Sequence, residues 1–176
     1  MVFKKILVAI DRSPQAQVVF EQALELAQKE ESSLMVFHCV SWESVAQAEP
    51  FIGTLADVDM SGTFQRLQRE RFQKDIEQAR DWLATCCQQA TSKDIPTEFD
   101  CKTGDPNSKI CELARAWGAD LIVLGRRGHK GLSEILLGSV SNYVVHNAPC
   151  SVLVVQGVIT QRVDTPAEAT PVQMNV

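Results

Sequence analysis

Continuous apolar runs in this chain alternate with segments whose apolar residues recur every three or four positions. One apolar run lies at the end of the segment 2–10, and two others make up most of Ser33–Val40 and most of residues 119–125. Such runs are typical of strands that are buried on both faces of a parallel sheet. Two weaker segments, residues 95–101 and the stretch from Pro149 to Val155, complete a prediction of five strands.

After each of the first two strands, apolar residues recur at the three- and four-residue spacing of a helix. The first helix is predicted to begin with Ser13 as N-cap and Pro14 at its first position, and to extend to about Glu30. A long second helix is predicted over residues 63–90, with an apolar face that includes Leu67 and a charged face turned to solvent.

Two more helices follow the third and fourth strands. Asp105 and Pro106 form a cap-plus-proline start, and Gly118 ends that helix. Residues 139–148 are predicted to form the last helix. The irregular segment 41–62, which contains proline and glycine, is longer than a usual strand-to-helix loop, and the pattern assigns it no role.

Strands that alternate with helices favour an α/β fold with right-handed crossovers. We predict a three-layer, Rossmann-like sandwich, in which helices cover both faces of a five-stranded parallel sheet. Ligands of such sheets bind beyond the carboxyl ends of the strands, where the strand order reverses. Asp11 follows the first strand and Gly125 ends the fourth, so both lie at that edge and adjoin if the strand order is 3-2-1-4-5.

The length of 176 residues suits one domain, which we place at residues 1–156, followed by a loosely ordered tail at 157–176. The apolar runs are far shorter than the roughly 20 residues of a membrane span. The apolar run near the N-terminus stops at Asp11 without a cleavage site, which argues against a secretion signal. We therefore expect a cytoplasmic protein that does not enter a membrane.

A formal net charge of −5 argues against a nucleic acid as the main partner. The 6 cysteines include no CxxC pair and no Cys/His spacing that suits zinc. Reduced, largely buried thiols are expected in the cytoplasm. The adjacent pair Cys86 and Cys87 leaves a redox role as an alternative.

Glycine and basic residues gather in the segment 125–141, GRRGHKGLSEILLGSVS, although the chain as a whole is acidic. Glycine lets a backbone turn sharply and approach a ligand closely. Gly138 precedes Ser139 at a predicted helix start, where free amides and the helix dipole favour an anion and serine hydroxyls add donors. The basic side chains supply a positive field; they are Arg126, Arg127, His129 and Lys130.

These residues alone leave two interpretations open. The segment is either a phosphate-binding loop or a plain strand end followed by a capped helix. It is neither a P-loop, which requires GxxxxGK[ST], nor a dinucleotide fingerprint, which requires GxGxxG after the first strand. The first strand is followed instead by DRSP.

The spacing Gly125-x2-Gly128-x9-Gly138-Ser139 resembles the G-2x-G-9x-G-(S/T) signature of the ATP-binding members of the universal stress protein family. The segment VAIDRSP at residues 8–14 is similar to the family's first strand and aspartate. Residues 119–155 resemble its C-terminal block almost without a gap. The resemblance extends from residue 2 to about residue 156.

This resemblance implies a nucleotide site at the carboxyl ends of strands one and four. Asp11 would lie near the ribose and adenine, Ala9 at the base, and Val40 along the adenine. Ala9 departs from many members, which have proline or another residue there. The resemblance implies that a further set of positions surrounds the ribose and phosphates: Leu124, Gly125, Arg127, Gly128, Gly138, Ser139, Val140 and Ser141.

The implied ligand is ATP, ADP or AMP, with Mg²⁺ as a companion that Asp11 could coordinate. A ribose or backbone hydrogen bond is the favoured role for Asp11. The resemblance also implies a homodimer that pairs the last strands, residues 149–155, because an exposed apolar edge strand is usually covered. The alternative is that the tail folds over this strand.

The residues leave three functions open. The first is a nucleotide-binding regulatory protein of the stress response. The second is a slow ATPase or autophosphorylating enzyme, with Ser133, Ser139 or Ser141 as phosphate acceptor. The sequence shows no set of nucleophile, base and orienting group that would support this function. The third is a redox-responsive interaction protein that uses Cys86 and Cys87.

Overall fold

The computed structural model of the chain describes residues 3–41, 60–126 and 137–156, and side chains in the second range from residue 65 onwards. Predictions for residues 42–59, for residues 127–136 of the glycine-rich segment and for the tail from residue 157 lie outside the described residues.

A 5-stranded parallel sheet has the order β3-β2-β1-β4-β5. This confirms the predicted fold class and strand order. Its strands are β1 (Lys5–Ala9), β2 (Ser33–Val40), β3 (Thr97–Thr103), β4 (Leu121–Gly125) and β5 (Ser151–Val155).

Helices cover both faces of the sheet and form the outer two layers. Their bounds are α1 (Ala16–Glu30), α2 (Met60–Thr91), α3 (Pro106–Trp117) and α4 (Ser139–Asn147). One core cluster joins α1 and α2 to one face, and a second joins α3 and α4 to the other. The α1/α2 face and the α3/α4 face are named accordingly below.

The apolar runs form the centre of both clusters. Ile6, Leu7 and Val8 of β1 have no exposed surface, and successive residues point to opposite faces. Where helices cover a strand on both sides its residues are apolar on both faces, which is the reason for the unbroken run from Ile6 onwards.

The predicted ends of α3 are confirmed. An oxygen of the Asp105 side chain accepts a hydrogen bond from the amide of Asn107 at 3.2 Å, and Pro106 occupies the first turn. Gly118 follows the helix in a left-handed conformation, with φ of 72°, which glycine adopts without steric cost.

The predicted start of α1 is wrong by two residues. Its N-cap is Gln15, which makes no side-chain capping bond, and not Ser13. The Ser13 amide donates to Asp11 Oδ1 at 3.0 Å, and the Ser13 carbonyl accepts from the Ala16 amide at 3.1 Å. The chain therefore makes a tight turn after β1 before the helix begins.

Leu67 was assigned to the buried face of α2, but it is 42% exposed. A helix of 32 residues is about 48 Å long, whereas the seven residues of β3 span only about 23 Å. Fully buried side chains occur in the second half of α2, at Ala79, Leu83 and Ala90, while Phe72 and Ile76 are partly buried against the same cluster. The apolar spacing therefore includes Leu67, which lies beyond the buried part of the helix.

Candidate functional site

The predicted site segments lie together at the side of the sheet where the parallel strands end. This side is called the carboxyl edge below. Ala9 of β1 pairs with Leu124 of β4 and with Phe37 of β2. The residues that follow β1 and β4 therefore leave the sheet side by side, as predicted for Asp11 and Gly125. The side chains of Ala9 and Leu124 both pack on the α3/α4 face.

The turn after β1 is held to α2 by polar contacts. Arg12 forms an ion pair with Asp75 at 3.4 Å and donates to the Asp75 carbonyl at 3.3 Å. One carboxylate oxygen of Asp11 is bonded to the Ser13 amide, as a turn-forming aspartate requires. This carboxylate has a structural role in the turn whatever else it binds.

His38 of β2 fixes the backbone just before Asp11. Its Nδ1 lies 2.8 Å from the carbonyl oxygen of Ile10, to which it donates, and its ring packs edge-to-face against Trp82 with centroids 5.6 Å apart. Burial lowers the pKa of His38 below its usual value because the imidazolium loses solvation. The ring is therefore kept neutral next to the site.

Val40 ends β2 at the same edge and is buried. Its carbonyl accepts a hydrogen bond from the Gly104 amide at 3.1 Å, and Cys39 Sγ donates to the Gly104 carbonyl at 3.5 Å. Gly104 has φ of +126°, which side chains rarely tolerate. This glycine turn links the end of β2 to the start of α3, and sequence reasoning did not single it out.

The two ends of the glycine-rich segment lie against each other. The Gly138 amide donates to the Arg126 carbonyl at 2.9 Å, and the Arg126 amide donates to the Val155 carbonyl at 2.8 Å. Ser141 Oγ lies 2.8 Å from the Arg126 carbonyl and 3.0 Å from the Gly138 carbonyl. The Ser141 hydroxyl therefore closes the base of this segment. Arg127, Gly128, His129 and Lys130 lie outside the described residues.

The first turn of α4 lies at this closure. The first backbone bond of the helix runs from the Asn142 amide to the Gly138 carbonyl at 2.9 Å. The amides of Ser139, Val140 and Ser141 precede it and have no acceptor within the helix. Amides at a helix start together with the helix dipole favour a phosphate group.

At Gly125 and Gly138, two of the predicted site positions, the backbone does not have the positive φ that would require glycine. Gly138 has φ of −62° and ψ of 160°, which any residue adopts, and Gly125 is the last residue of β4. The feature that glycine still offers at these two positions is the absence of a Cβ.

In the part of the chain that the structure describes, two buried side-chain oxygens lack a hydrogen-bond partner: Gln15 Oε1 and Asn107 Oδ1. Gln15 precedes α1 on one face of the sheet and Asn107 lies in the first turn of α3 on the other, and both helices start at the carboxyl edge. Nothing in the sequence distinguishes these two residues, because a polar residue at a helix start is ordinary.

The described residues include no group of three His, Cys, Asp or Glu side chains that could hold a metal ion. Within the same ranges, no helix combines the length and the apolar character that crossing a bilayer requires. All 6 cysteines lie in these ranges and are free.

Comparison with known proteins relates residues 2–156 to the universal stress protein family, whose family model matches them. The universal stress protein Sll1388 of Synechocystis sp. is 44% identical over 158 residues, which are 89% of this chain and 99% of that protein.

Solved structures show the same fold. The universal stress protein UspA from Lactobacillus plantarum has a TM-score of 0.71 at 25% identity, covering 88% of this chain and 99% of its own. A universal stress protein from Archaeoglobus fulgidus in complex with dAMP has a TM-score of 0.56 at 22% identity, covering 88% and 98%. A universal stress protein in complex with cAMP has a TM-score of 0.53 at 19% identity, covering 88% and 98%.

Proposed function

This chain belongs to the universal stress protein family, and we propose that it is a nucleotide-binding regulatory protein of the stress response. In this proposal it holds ATP, ADP or AMP at the carboxyl ends of β1 and β4. Two proteins of the same fold and family have been crystallised with adenine nucleotides, dAMP and cAMP, which supports this class of ligand.

The observation that carries the proposal is the closure of residues 126 and 138 beside the first turn of α4. The Ser141 hydroxyl and the Gly138 amide both bond the Arg126 carbonyl, which fixes the strand end and the helix start in one place. Three amides of that turn are left to bind an anion. A phosphate group matches these donors in charge and in number of acceptor oxygens.

The rest of the nucleotide would extend from these phosphates towards β1 and β2. We assign the ribose to Asp11 and the adenine to Ala9 and Val40, which lie at the same edge. Leu124, Gly125, Arg127, Gly128, Gly138, Ser139, Val140 and Ser141 would surround the ribose and the phosphates. If Mg²⁺ accompanies ATP, Asp11 is the carboxylate that could bind it.

A homodimer through residues 149–155 belongs to the same proposal. β5 is an edge strand of the sheet, and Leu153 on it is 39% exposed. An apolar edge strand that stays uncovered is prone to pair with other chains, and pairing with its own copy would cover both edges.

We also propose that residues 1–156 form the family domain, that residues 157–176 form a tail, and that the protein acts in the cytoplasm. Free cysteines support this location, because a reducing compartment keeps thiols unpaired.

Titration calorimetry on protein stripped of carried-over ligand tests the function. We expect saturable binding of at least one of ATP, ADP, AMP and cAMP, with and without Mg²⁺. Absence of binding by all four at millimolar concentration would contradict the proposal. Phosphate release and label transfer measured in the same mixtures test the ATPase and autophosphorylation alternatives.

A further inference from the structure

The side chain of Asn107 presents a buried acceptor that nothing in the described structure satisfies. Its Oδ1 atom is shielded from solvent and has no hydrogen-bond partner, although the residue as a whole is half-buried. Buried polar atoms are almost always paired, and one left without a partner destabilises the protein. An unpaired oxygen at this place therefore calls for a donor.

The position of Asn107 on α3 directs it towards the sheet. Ile110 and Cys111, three and four residues later, are buried on the α3/α4 face. Residues at these spacings share one side of a helix, so Asn107 lies on the same stripe one turn nearer to the helix start. That start lies at the carboxyl edge, because β3 leads directly into α3.

The residues assigned to the base lie at the same edge, and Ala9 also lies on the same face, in the cluster that includes Ile110. Val40 is buried in the cluster of the α1/α2 face. Val40 accepts a hydrogen bond from the Gly104 amide, three residues before Asn107. The unpaired oxygen of Asn107 thus lies at the strand ends of the proposed adenine position and shares its face of the sheet with Ala9.

We propose that Asn107 is a specificity-determining residue, whose Oδ1 accepts a hydrogen bond from the 6-amino group of an adenine base. This inference rests on the proposed function. An asparagine amide pairs well with adenine, because its oxygen accepts from the exocyclic amine. In the amide orientation of the structure, a 6-oxopurine would place its oxygen against Oδ1, so two acceptors would face each other and this ligand would be disfavoured.

Binding of AMP and IMP compares a 6-amino with a 6-oxo group on one scaffold. The stripped wild-type protein is expected to bind AMP roughly tenfold more tightly than IMP, or better. Asn107→Leu removes the acceptor and should bring the two dissociation constants to within about threefold of each other. Asn107→Asp keeps only acceptors, so it should retain the preference for AMP.

Gln15→Leu is the matched control, because it removes the other unpaired amide oxygen from the opposite face of the sheet. It should leave the AMP-to-IMP ratio at the wild-type value. Melting temperatures of the unliganded variants show whether each protein folds, and Asn107→Ala, which also removes the acceptor, tests the inference if Asn107→Leu does not fold.

The outcomes separate this inference from the proposed function. Wild-type protein that binds AMP and IMP equally would overturn the role of Asn107 while nucleotide binding stands. The role of Asn107 is also overturned if Asn107→Leu keeps the wild-type AMP-to-IMP ratio, as expected when water satisfies Oδ1. It is overturned likewise if Asn107→Asp loses that ratio, or if Gln15→Leu changes the ratio as much as Asn107→Leu does. Failure of the wild type to bind any adenine nucleotide would overturn both.

Discussion

The Ser141 hydroxyl lies 2.8 Å from the carbonyl oxygen of Arg126, which is 15 residues earlier in the chain. Since Ser141 is buried and also contacts the Gly138 carbonyl, its single proton joins the end of β4 to the start of α4. The structure thus uses this hydroxyl to set the distance between the two ends of the glycine-rich segment.

Ser141→Ala should lower the free energy of unfolding by about 1 kcal/mol, the usual net value of a buried hydrogen bond. It should also weaken nucleotide binding, because the helix start is no longer held at the strand end. Urea unfolding and calorimetry measure the two effects. Ser92→Ala is the control: the Ser92 hydroxyl bonds the Gln89 carbonyl at 2.8 Å on an exposed surface, so its loss should change little. Equal effects of both changes would contradict the account.

Protonation of His38 should destabilise the fold. Burial lowers its pKa in the folded state below the value of about 6.5 in the unfolded state, so the unfolded chain binds more protons between the two values. The contribution of His38 is complete above pH 6.5 and is lost as the pH falls below it. Urea unfolding between pH 7.5 and 5.5 should show this decrease.

His38→Asn removes the titrating group and keeps a side-chain donor for the Ile10 carbonyl, so it should flatten the pH dependence in this window. His146→Asn is the matched control, because His146 is exposed on α4. If the pH dependence of the unfolding free energy persists in His38→Asn and disappears in His146→Asn, it arises from His146 and the prediction for His38 is contradicted.

Five of the six cysteines should react slowly in the native protein. Burial raises the pKa of Cys39 to about 12 and raises the pKa of four others, so little thiolate is present at pH 7.5. Those four are Cys86, Cys101, Cys111 and Cys150. Iodoacetamide labelling read by mass spectrometry should be slow before unfolding and fast in urea. Rapid native labelling of Cys86 and Cys87, with a peroxide-induced change of oligomeric state that Cys→Ser changes abolish, would instead support the redox alternative.

Leu153→Lys should disrupt the proposed dimer, because a lysine on an edge strand opposes pairing with another strand. Leu67→Lys on α2 is a matched control, since the two leucines are 39% and 42% exposed. Size-exclusion chromatography with light scattering should find dimers for the wild type and Leu67→Lys, and monomers for Leu153→Lys. The same mass for all three proteins would refute pairing through β5.

Much of the fold follows from local sequence. The ends of α3 were predictable because Asp105, Pro106 and Gly118 each act on the backbone beside them. The start of α1 was not, because Ser13 is used in a turn with Asp11 before the helix begins. Leu67 was misassigned because apolar spacing does not reveal how far a long helix extends past a short sheet.

The candidate site divides in the same way. Pairing of Ala9 with Leu124 follows from the strand order, so the meeting of Asp11 and Gly125 could be predicted. The bond from Ser141 to Arg126 could not, since it joins distant residues and depends on where α4 packs. The unpaired oxygen of Asn107 is a property of three-dimensional packing and has no counterpart in the sequence.

Nucleotide binding at the start of α4 is tested most directly by the thermal unfolding of wild type, Gly138→Asp and Gly138→Asn. Gly138 is the N-cap of α4 with a backbone conformation that other residues adopt, and aspartate and asparagine are both favoured at N-cap positions. The aspartate adds a negative charge where the phosphate is proposed to bind, and asparagine of the same shape does not.

Each protein is stripped of ligand and heated with and without ATP, ADP or AMP in the presence of Mg²⁺. A ligand at a hundredfold excess over its dissociation constant stabilises a native protein by about 2.7 kcal/mol. The account predicts that at least one nucleotide raises the melting temperature of the wild type. Gly138→Asp should lose this rise, although without ligand it should melt no lower than the unliganded wild type. Gly138→Asn should keep more of the rise than Gly138→Asp. An equal rise in wild type and Gly138→Asp, or no rise in the wild type, would contradict it.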